Sequence, residues 1–345
     1  MDRFAFLVHP LSMQDVYDYA PQVRQRNPEV VRAIMKKWMP PFPIKRFEIT
    51  SITGRRIEGL VILVYLLPEQ FLEPDQSLCL EKVLAAARMA EEMGAQLLGL
   101  GALTAVIGRN GQMIAERMSI GVTTGNSYTA AVAVETLLAA AREIDIRPER
   151  ANLTIVGATG SVGSACTRLL APLVASVTLV ARQVETLKRL RREISETLNQ
   201  QVVVEADLRK AVRDADLILL ATSAPGTILD LDDVKPGAVV ANVAKPDNVD
   251  FDQGFKRPDV LLIDAGLVYC PKKRMIEVID RHFPYVAGID SEKIFACFAE
   301  TMILTFEGRF GDFSIGRHLD LSQVKAVAEA GARHGFSIQK IEAMV

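Results

Sequence analysis

Between Asn152 and Arg182 the chain spells out a strand, a glycine turn, a helix and a second strand ending in arginine, an order that few folds accommodate. Leu153-Thr154-Ile155-Val156 is a short apolar and β-branched run of the kind buried in parallel sheets. Gly157-Ala158-Thr159-Gly160-Ser161-Val162-Gly163 follows at once, ahead of a helix predicted through Leu170. In such a unit the glycines at 157, 160 and 163 permit a tight turn, close backbone approach to a pyrophosphate, and close packing of helix on strand. Thr159, Ser161 and Val162 complete the turn, and the helix N-terminus offers N–H groups and partial positive charge to phosphates. The spacing Gly-x-x-Gly-x-x-Gly is a variant of the commoner Gly-x-Gly-x-x-Gly, so its surroundings must support it. Ser176 to Ala181 does so as a second β-branched strand, and it ends on Arg182 where an acidic residue would bind the ribose 2′-hydroxyl of NAD. Arginine there suits a 2′-phosphate, so the expected cofactor is NADPH. The competing reading is a glycine turn in an ordinary α/β domain with a surface arginine.

A chain of 345 residues exceeds one ordinary core and predicts two or three domains. The expected fold class is α/β: a Rossmann-type doubly wound parallel sheet in the middle, an N-terminal α/β substrate domain before it and a C-terminal helical segment after it. The expected bounds are 1–148, 149–270 and 271–345. Strands are predicted at Arg46–Ile52 and Ile57–Leu66, and a helix at Gln76–Met93, where Leu80, Val83, Leu84, Ala87 and Ala90 share one face. A long helix from about Tyr128 to Glu143 follows the capping residues Thr123-Thr124-Gly125-Asn126-Ser127. Beyond Arg182 the alternation continues through Val184–Leu198, Val202–Glu205, Leu208–Asp214, Leu217–Ala221, Ala238–Val243 and Val260–Asp264. Ligands of such sheets lie beyond the carboxyl ends of the strands, which nominates Thr222 and Ser223, and also Asp264-Ala265-Gly266, as cofactor neighbours. Asp290 and Ser291 are expected to cap a helix reaching Phe306 and stopped by Gly308, and Ser322–Ala332 is expected to be the last helix.

The formal charge of −2 exerts no global pull on nucleic acid or anionic membrane. Basic clusters at Lys36-Lys37, Lys188 to Arg192 and Lys272 to Arg274 read as solvated faces, without the interleaved aromatics of a nucleic-acid site. Cys79, Cys166, Cys270 and Cys297 show no metal-ligand spacing, and Phe4–Val8 is too short for a signal-peptide core. Free thiols in a reducing cytoplasm, no metal and no transmembrane helix are therefore expected. HExxH and Gly-x-Ser-x-Gly are absent, which leaves metallohydrolase and serine-hydrolase chemistry without support. Of the four histidines, His318 lies in a loop that could return to Cys297 as a general acid or base. Read from its surroundings alone, Cys297 is a small apolar residue on a helix stripe, two turns in and outside the reach of the helix dipole.

The stretch Ile294-Phe-Ala-Cys297-Phe-Ala-Glu300-Thr-Met-Ile-Leu-Thr-Phe-Glu-Gly308 closely resembles the long-chain acyl-[acyl-carrier-protein] reductases of cyanobacteria. The likeness extends through Gly99-Leu-Gly-Ala-Leu-Thr-Ala-Val-Ile, Thr-Thr-Gly-Asn126-Ser-Tyr-Thr-Ala and Ala332-Arg-His-Gly-Phe336. It implies that Cys297 is an acylated nucleophile and that NADPH reduces its acyl group to a fatty aldehyde. The substrate carrier is then acyl carrier protein or coenzyme A, and an aldehyde-consuming enzyme is an expected downstream partner. Ser127, Tyr128 or nearby backbone groups are candidates to stabilise the oxyanion. Tyr128 replaces a histidine common in that family, and Ile315 a tryptophan. Two other readings stand beside this one. A shikimate-dehydrogenase-like NADP-dependent alcohol dehydrogenase shares the order of domains, and a non-catalytic NADPH sensor would use the same cofactor turn.

Overall fold

The computed structural model describes residues 1–198, 201–278 and 292–341, and no side chain is described for 273–278. His282, Asp290 and Ser291 lie outside the described residues. Contacts divide the chain into two units, one of Met1–Tyr128, Val268–Arg317 and Ala326–Ser337, the other of Thr129–Leu267, His318–Lys325 and Ile338–Val345.

The first unit is built on a mixed sheet of β1 (Arg3–Val8), β2 (Phe42–Thr50), β3 (Arg56–Leu63), β4 (Leu97–Leu100) and β5 (Gly121–Thr123), with the strand Lys273–Val278 at its edge. The spatial order is Lys273–Val278, β2, β3, β1, β4, β5, parallel from β3 onward and antiparallel before it. Successive side chains of a strand point to opposite faces, and β1 uses both. Ala5 and Leu7 join the core beneath the Ser77–Glu92 helix, with Val83, Leu84 and Ala87. Phe4 and Phe6 face the Ala296–Phe306 helix, where their rings lie 6.0 Å and 4.4 Å from that of Phe298. That helix is buried at every position except Cys297.

The second unit holds β6 (Asn152–Val156), β7 (Ser176–Val180), β8 (Gln201–Val204), β9 (Leu217–Leu220), β10 (Val239–Asn242) and β11 (Leu261–Asp264). All pair in parallel in the order β8-β7-β6-β9-β10-β11, the doubly wound dinucleotide-binding order. Leu153, Ile155, Leu179 and Leu219 fill one core, whereas Val156, Val180, Ile218 and Leu220 fill another. The sheet is thus covered on both faces, as the unbroken apolar strands require. Observed boundaries follow the expected ones within a few residues here, and the helix Val184–Leu198 matches them throughout. Among the described residues no helix is long and apolar enough to cross a membrane.

Two helices, Met13–Tyr19 and Pro28–Trp38, were not anticipated, nor was the strand pairing of Lys273–Val278. One expected element needs correction. The helix placed from Asp290 and Ser291 begins only at Ala296, because Lys293–Phe295 is extended and pairs as a strand. Cys297 is therefore the second residue of its helix, in the first turn, and not two turns in.

Candidate active site

Cys297 sits where strand gives way to helix. Phe295 is the N-cap in extended conformation, and its side chain supplies no cap to the first turn. The partial positive charge of a helix N-terminus acts there at short range and favours a thiolate. The backbone N–H of Ala102 acts in the same direction and lowers the thiol pKa. Ala102 itself is held at φ +47°, a left-handed conformation uncommon for a residue with a Cβ and a feature that gathers at functional sites. His9 fixes the same turn: its Nε2 accepts from Leu103 N–H at 3.1 Å, so Nδ1 carries the proton and donates to Pro10 O at 2.7 Å. Burial holds His9 neutral, with its pKa lowered to about 4.

Against these effects stands desolvation. Although Cys297 is only half-buried, loss of solvent around its thiol, joined by the charge of Glu300, pushes the pKa up to about 11. Gly125 closes the opposite side at φ +75°, and a Cβ there would lie 2.3 Å from Cys297 Cα and Cβ. The nucleophile is thus pressed against backbone.

Glu300 lies one helical turn beyond Cys297 and is fully buried. Its Oε1 accepts from Thr123 Oγ1 at 2.5 Å and Ser314 Oγ at 2.7 Å, and its Oε2 from Tyr128 N–H at 2.6 Å. Burial raises the Glu300 pKa, and these donors counter it by favouring the charged form. Thr123 Oγ1 in turn accepts from Gly125 N–H at 3.2 Å. Ser314, at φ +55°, is within 2.7 Å of Ser127 Oγ and presents its carbonyl to Thr124 Oγ1 at 2.5 Å.

In the second unit the glycine turn has the shape its spacing implies. A Cβ on Gly157, at φ +89°, would meet Ala221 O at 2.5 Å, and one on Gly163 would meet Gly157 O at 2.3 Å. Gly157 and Ala158 N–H both donate to Val180 O, tying the turn to β7. Gly160 caps the Ser161–Leu170 helix without a side chain, and Thr159 precedes it in the turn. Thr222 and Ser223 lie just past β9, where Thr222 Oγ1 accepts from Ala224 N–H at 3.0 Å. Arg182 is exposed two residues beyond β7, and makes no hydrogen bond or ion pair among the described residues. A helix N-terminus without a side-chain cap, the space kept by Gly157 and Gly163, and an exposed cation beyond the second strand fit a dinucleotide.

Of the residues singled out from sequence, the structure brings Cys297, Ser127 and the backbone of Tyr128 into one cluster with Glu300. The Tyr128 ring packs instead on Gly331 and, at 6.5 Å, on Phe336. His318 is exposed and groups with the second unit, whereas Ser314, four residues earlier in the same loop, reaches Glu300. Lys36 of the first basic cluster pairs with Glu73, and Lys188 with Glu185, as solvated faces do. Sequence reasoning passed over Glu300, Ser314, Gly125, Ala102 and His9. A glutamate among apolar residues on a helix stripe was the available signal for the first of these.

A doubly wound parallel sheet with this turn defines an NAD(P)-dependent oxidoreductase, and the family model of shikimate / quinate 5-dehydrogenases matches residues 139–264. The aminotransferase PigE of Serratia sp. is 30% identical over 97% of this chain, which spans only 39% of that protein's length. The long-chain acyl-[acyl-carrier-protein] reductase of Synechococcus elongatus is 30% identical over 86% of this chain and 87% of its own length. The chain belongs to the family of that reductase. Among solved structures, quinate dehydrogenase from Corynebacterium glutamicum in complex with NAD aligns over 95% of this chain and 99% of its own, with TM-score 0.43 and 10% identity.

Proposed function

We propose that this protein reduces a long-chain fatty acyl thioester to the free aldehyde with NADPH, through an acyl-enzyme on Cys297. The observation that carries the reading is the placement of Cys297: the one residue of its helix left open, in the first turn. A cysteine serving only as core would be covered like its ten neighbours. Membership of the acyl reductase family supports the same chemistry.

In this reading the Cys297 sulfur adds to the thioester carbonyl and the carrier thiolate leaves, taking the proton that Cys297 gives up, so the exchange is balanced. The helix N-terminus and Ala102 N–H stabilise negative charge on sulfur as the proton departs. The Ser127 hydroxyl, which accepts from Ser314 Oγ at 2.7 Å, is the candidate donor to the developing oxyanion. Bound NADPH supplies the hydride that converts the acyl group to the aldehyde oxidation level. Collapse of the thiohemiacetal then returns Cys297 as the thiol, with one proton consumed overall. Because the resting thiol is raised to about 11, acylation is expected to quicken as pH rises above neutrality.

Gly157, Thr159, Gly160, Ser161, Val162 and Gly163 would hold the pyrophosphate, Arg182 the 2′-phosphate, and Thr222 and Ser223 would border the nicotinamide side. The exposure of Arg182, with no hydrogen bond or ion pair among the described residues, supports NADPH over NADH. The carrier is acyl carrier protein or coenzyme A, and an aldehyde-consuming enzyme is the natural recipient of the product. His318 is the proposed proton donor from the loop, and Tyr128 is proposed to act only through its backbone N–H, which holds Glu300.

Incubation with a long-chain acyl thioester, without cofactor, followed by mass spectrometry of Cys297-containing peptides tests the reading. An acyl adduct that disappears on adding NADPH, with aldehyde released, is expected. Aldehyde formation by Cys297→Ala would overturn it. Reversible NADP reduction by a hydroxyl substrate, with no adduct, would put the alcohol dehydrogenase reading in its place.

A further inference from the structure

We infer that Glu300 is a positioning residue for Cys297: its buried carboxylate gathers Thr123, Tyr128 and Ser314, and so sets the Gly125 turn against the nucleophile. The inference rests on the acyl-enzyme reading above and adds a residue to it.

Three segments distant in sequence meet on this one carboxylate. Thr123 ends β5, Tyr128 stands in the first turn of the Asn126–Glu143 helix, and Ser314 belongs to the loop whose Phe313 bridges to Thr123. The turn between Thr123 and Tyr128 contains Gly125, whose Cα region abuts Cys297, and whose N–H donates to the same Thr123 hydroxyl that binds Glu300. A helix turn links Glu300 to Cys297 through rigid backbone. Movement of the carboxylate would therefore shift the wall on which the sulfur rests. Both carboxylate oxygens are engaged, and no bond from either to the Cys297 sulfur is formed among the described residues. Its action on the thiol is therefore geometric and electrostatic and involves no direct proton transfer.

A carboxylate placed only to stabilise the fold would be an expensive choice, since a buried charge needs several donors to offset its desolvation. Here the donors are present, and the charge also acts on the sulfur. The elements packed around Cys297 are the Ala102 turn, the Gly125 turn and its own helix. Among the described residues Glu300 is the charged group that acts on the thiol.

The test uses the full chain and Glu300→Gln, which keeps shape and removes charge. Peptide-resolved alkylation of Cys297 by iodoacetamide as a function of pH gives the first readout, separated from Cys79, Cys166 and Cys270 by mass. The alkylation midpoint should fall by about one pH unit, because an opposing negative charge is gone. With acyl thioester and NADPH, kcat should fall about tenfold or more while KM changes by less than about twofold, as expected for a misplaced nucleophile. An unchanged midpoint with unchanged kcat would overturn the inference. So would a lowered melting temperature with an unchanged midpoint, which marks a structural role only. If Glu300→Gln does not fold, Thr123→Val removes one donor and leaves the charge; a wild-type kcat in that variant would equally sink the idea. Absence of any acyl adduct in the wild type would refute the acyl-enzyme reading, whereas the alkylation midpoint would still report on the hold of Glu300 over the thiol.

Discussion

Two glycine turns organise this molecule, one in each unit, and they differ in what fills the space the missing side chains leave. At Gly163 the neighbour is the Gly157 carbonyl of the turn itself, and at Gly157 it is the Ala221 carbonyl past the end of the adjoining strand, a geometry that repeats wherever a dinucleotide is bound. At Gly125 the neighbour is Cys297, brought from far along the chain. The approach of Gly163 to Gly157 is written in consecutive residues and can be read as a motif. That of Gly125 to Cys297 depends on how a sheet and a helix pack, and nothing in Thr123-Thr124-Gly125 reveals it.

A Cβ on each side breaks the comparison most directly. Gly125→Ala must place alanine at φ +75° and within 2.3 Å of Cys297 backbone and side-chain atoms, neither of which can retreat. Strain and overlap together predict a loss of about 4 kcal/mol or more in unfolding free energy. Urea denaturation would show it, and Cys297 in the surviving folded fraction should alkylate at an altered rate.

The backbone turns beside the two sites also differ in what holds them. The Gly157 turn hangs on Val180 O, a group that does not titrate, whereas the Ala102 turn over Cys297 hangs on neutral His9. Desolvation lowers the His9 pKa to about 4, below its ordinary value of 6.5, so the unfolded chain binds that proton first. The contribution is present in full above about 6.5 and is lost as pH falls toward 4. It amounts to roughly 3 kcal/mol across that window. Unfolding free energies at pH 7 and pH 4.5 should show the decline, and His9→Gln should flatten that portion of the curve.

Smaller effects fall on the cofactor side. Gly163→Ala would press a methyl group to 2.3 Å from Gly157 O and spread the turn, lowering NADPH affinity about tenfold to a hundredfold. Arg182→Ala removes one exposed cation and no packing. It should raise KM for NADPH by about tenfold, the worth of a charge-assisted hydrogen bond, and leave KM for NADH within about twofold. Equal losses for both cofactors would remove Arg182 from the 2′-phosphate assignment.

Legibility followed the range of the interactions. The parallel sheet was readable because each strand is a short apolar run and each crossover a local pattern, and Leu208–Arg213 or Val184–Leu198 emerge within a residue of expectation. The start of the Cys297 helix was not readable. Asp290 and Ser291 look like N-caps, but strand pairing of Lys293–Phe295 delays the helix to Ala296 and moves the nucleophile into the first turn. Ser314 was hidden for a related reason: its left-handed backbone is imposed by partners such as Val122, Thr124 and Asn110, which hold residues 313–316 from the far side of the chain.

If contact and conformation, not glycine as such, set the cost, then a glycine lacking both should be replaceable. Gly226 provides the case: it has no positive φ, and a Cβ there would meet nothing within 4 Å. Its carbonyl accepts from Asn248 Nδ2 at 3.2 Å, a bond that a methyl group on Cα leaves in place. Gly226→Ala should therefore be neutral or stabilising by about 0.5 kcal/mol, through the reduced freedom of the unfolded chain. Gly54, at φ +82° but also with open space around it, separates the two causes. Gly54→Ala should cost about 1 kcal/mol from backbone conformation alone. Were Gly226→Ala to cost as much as Gly125→Ala, the steric account of both glycine turns would fail together.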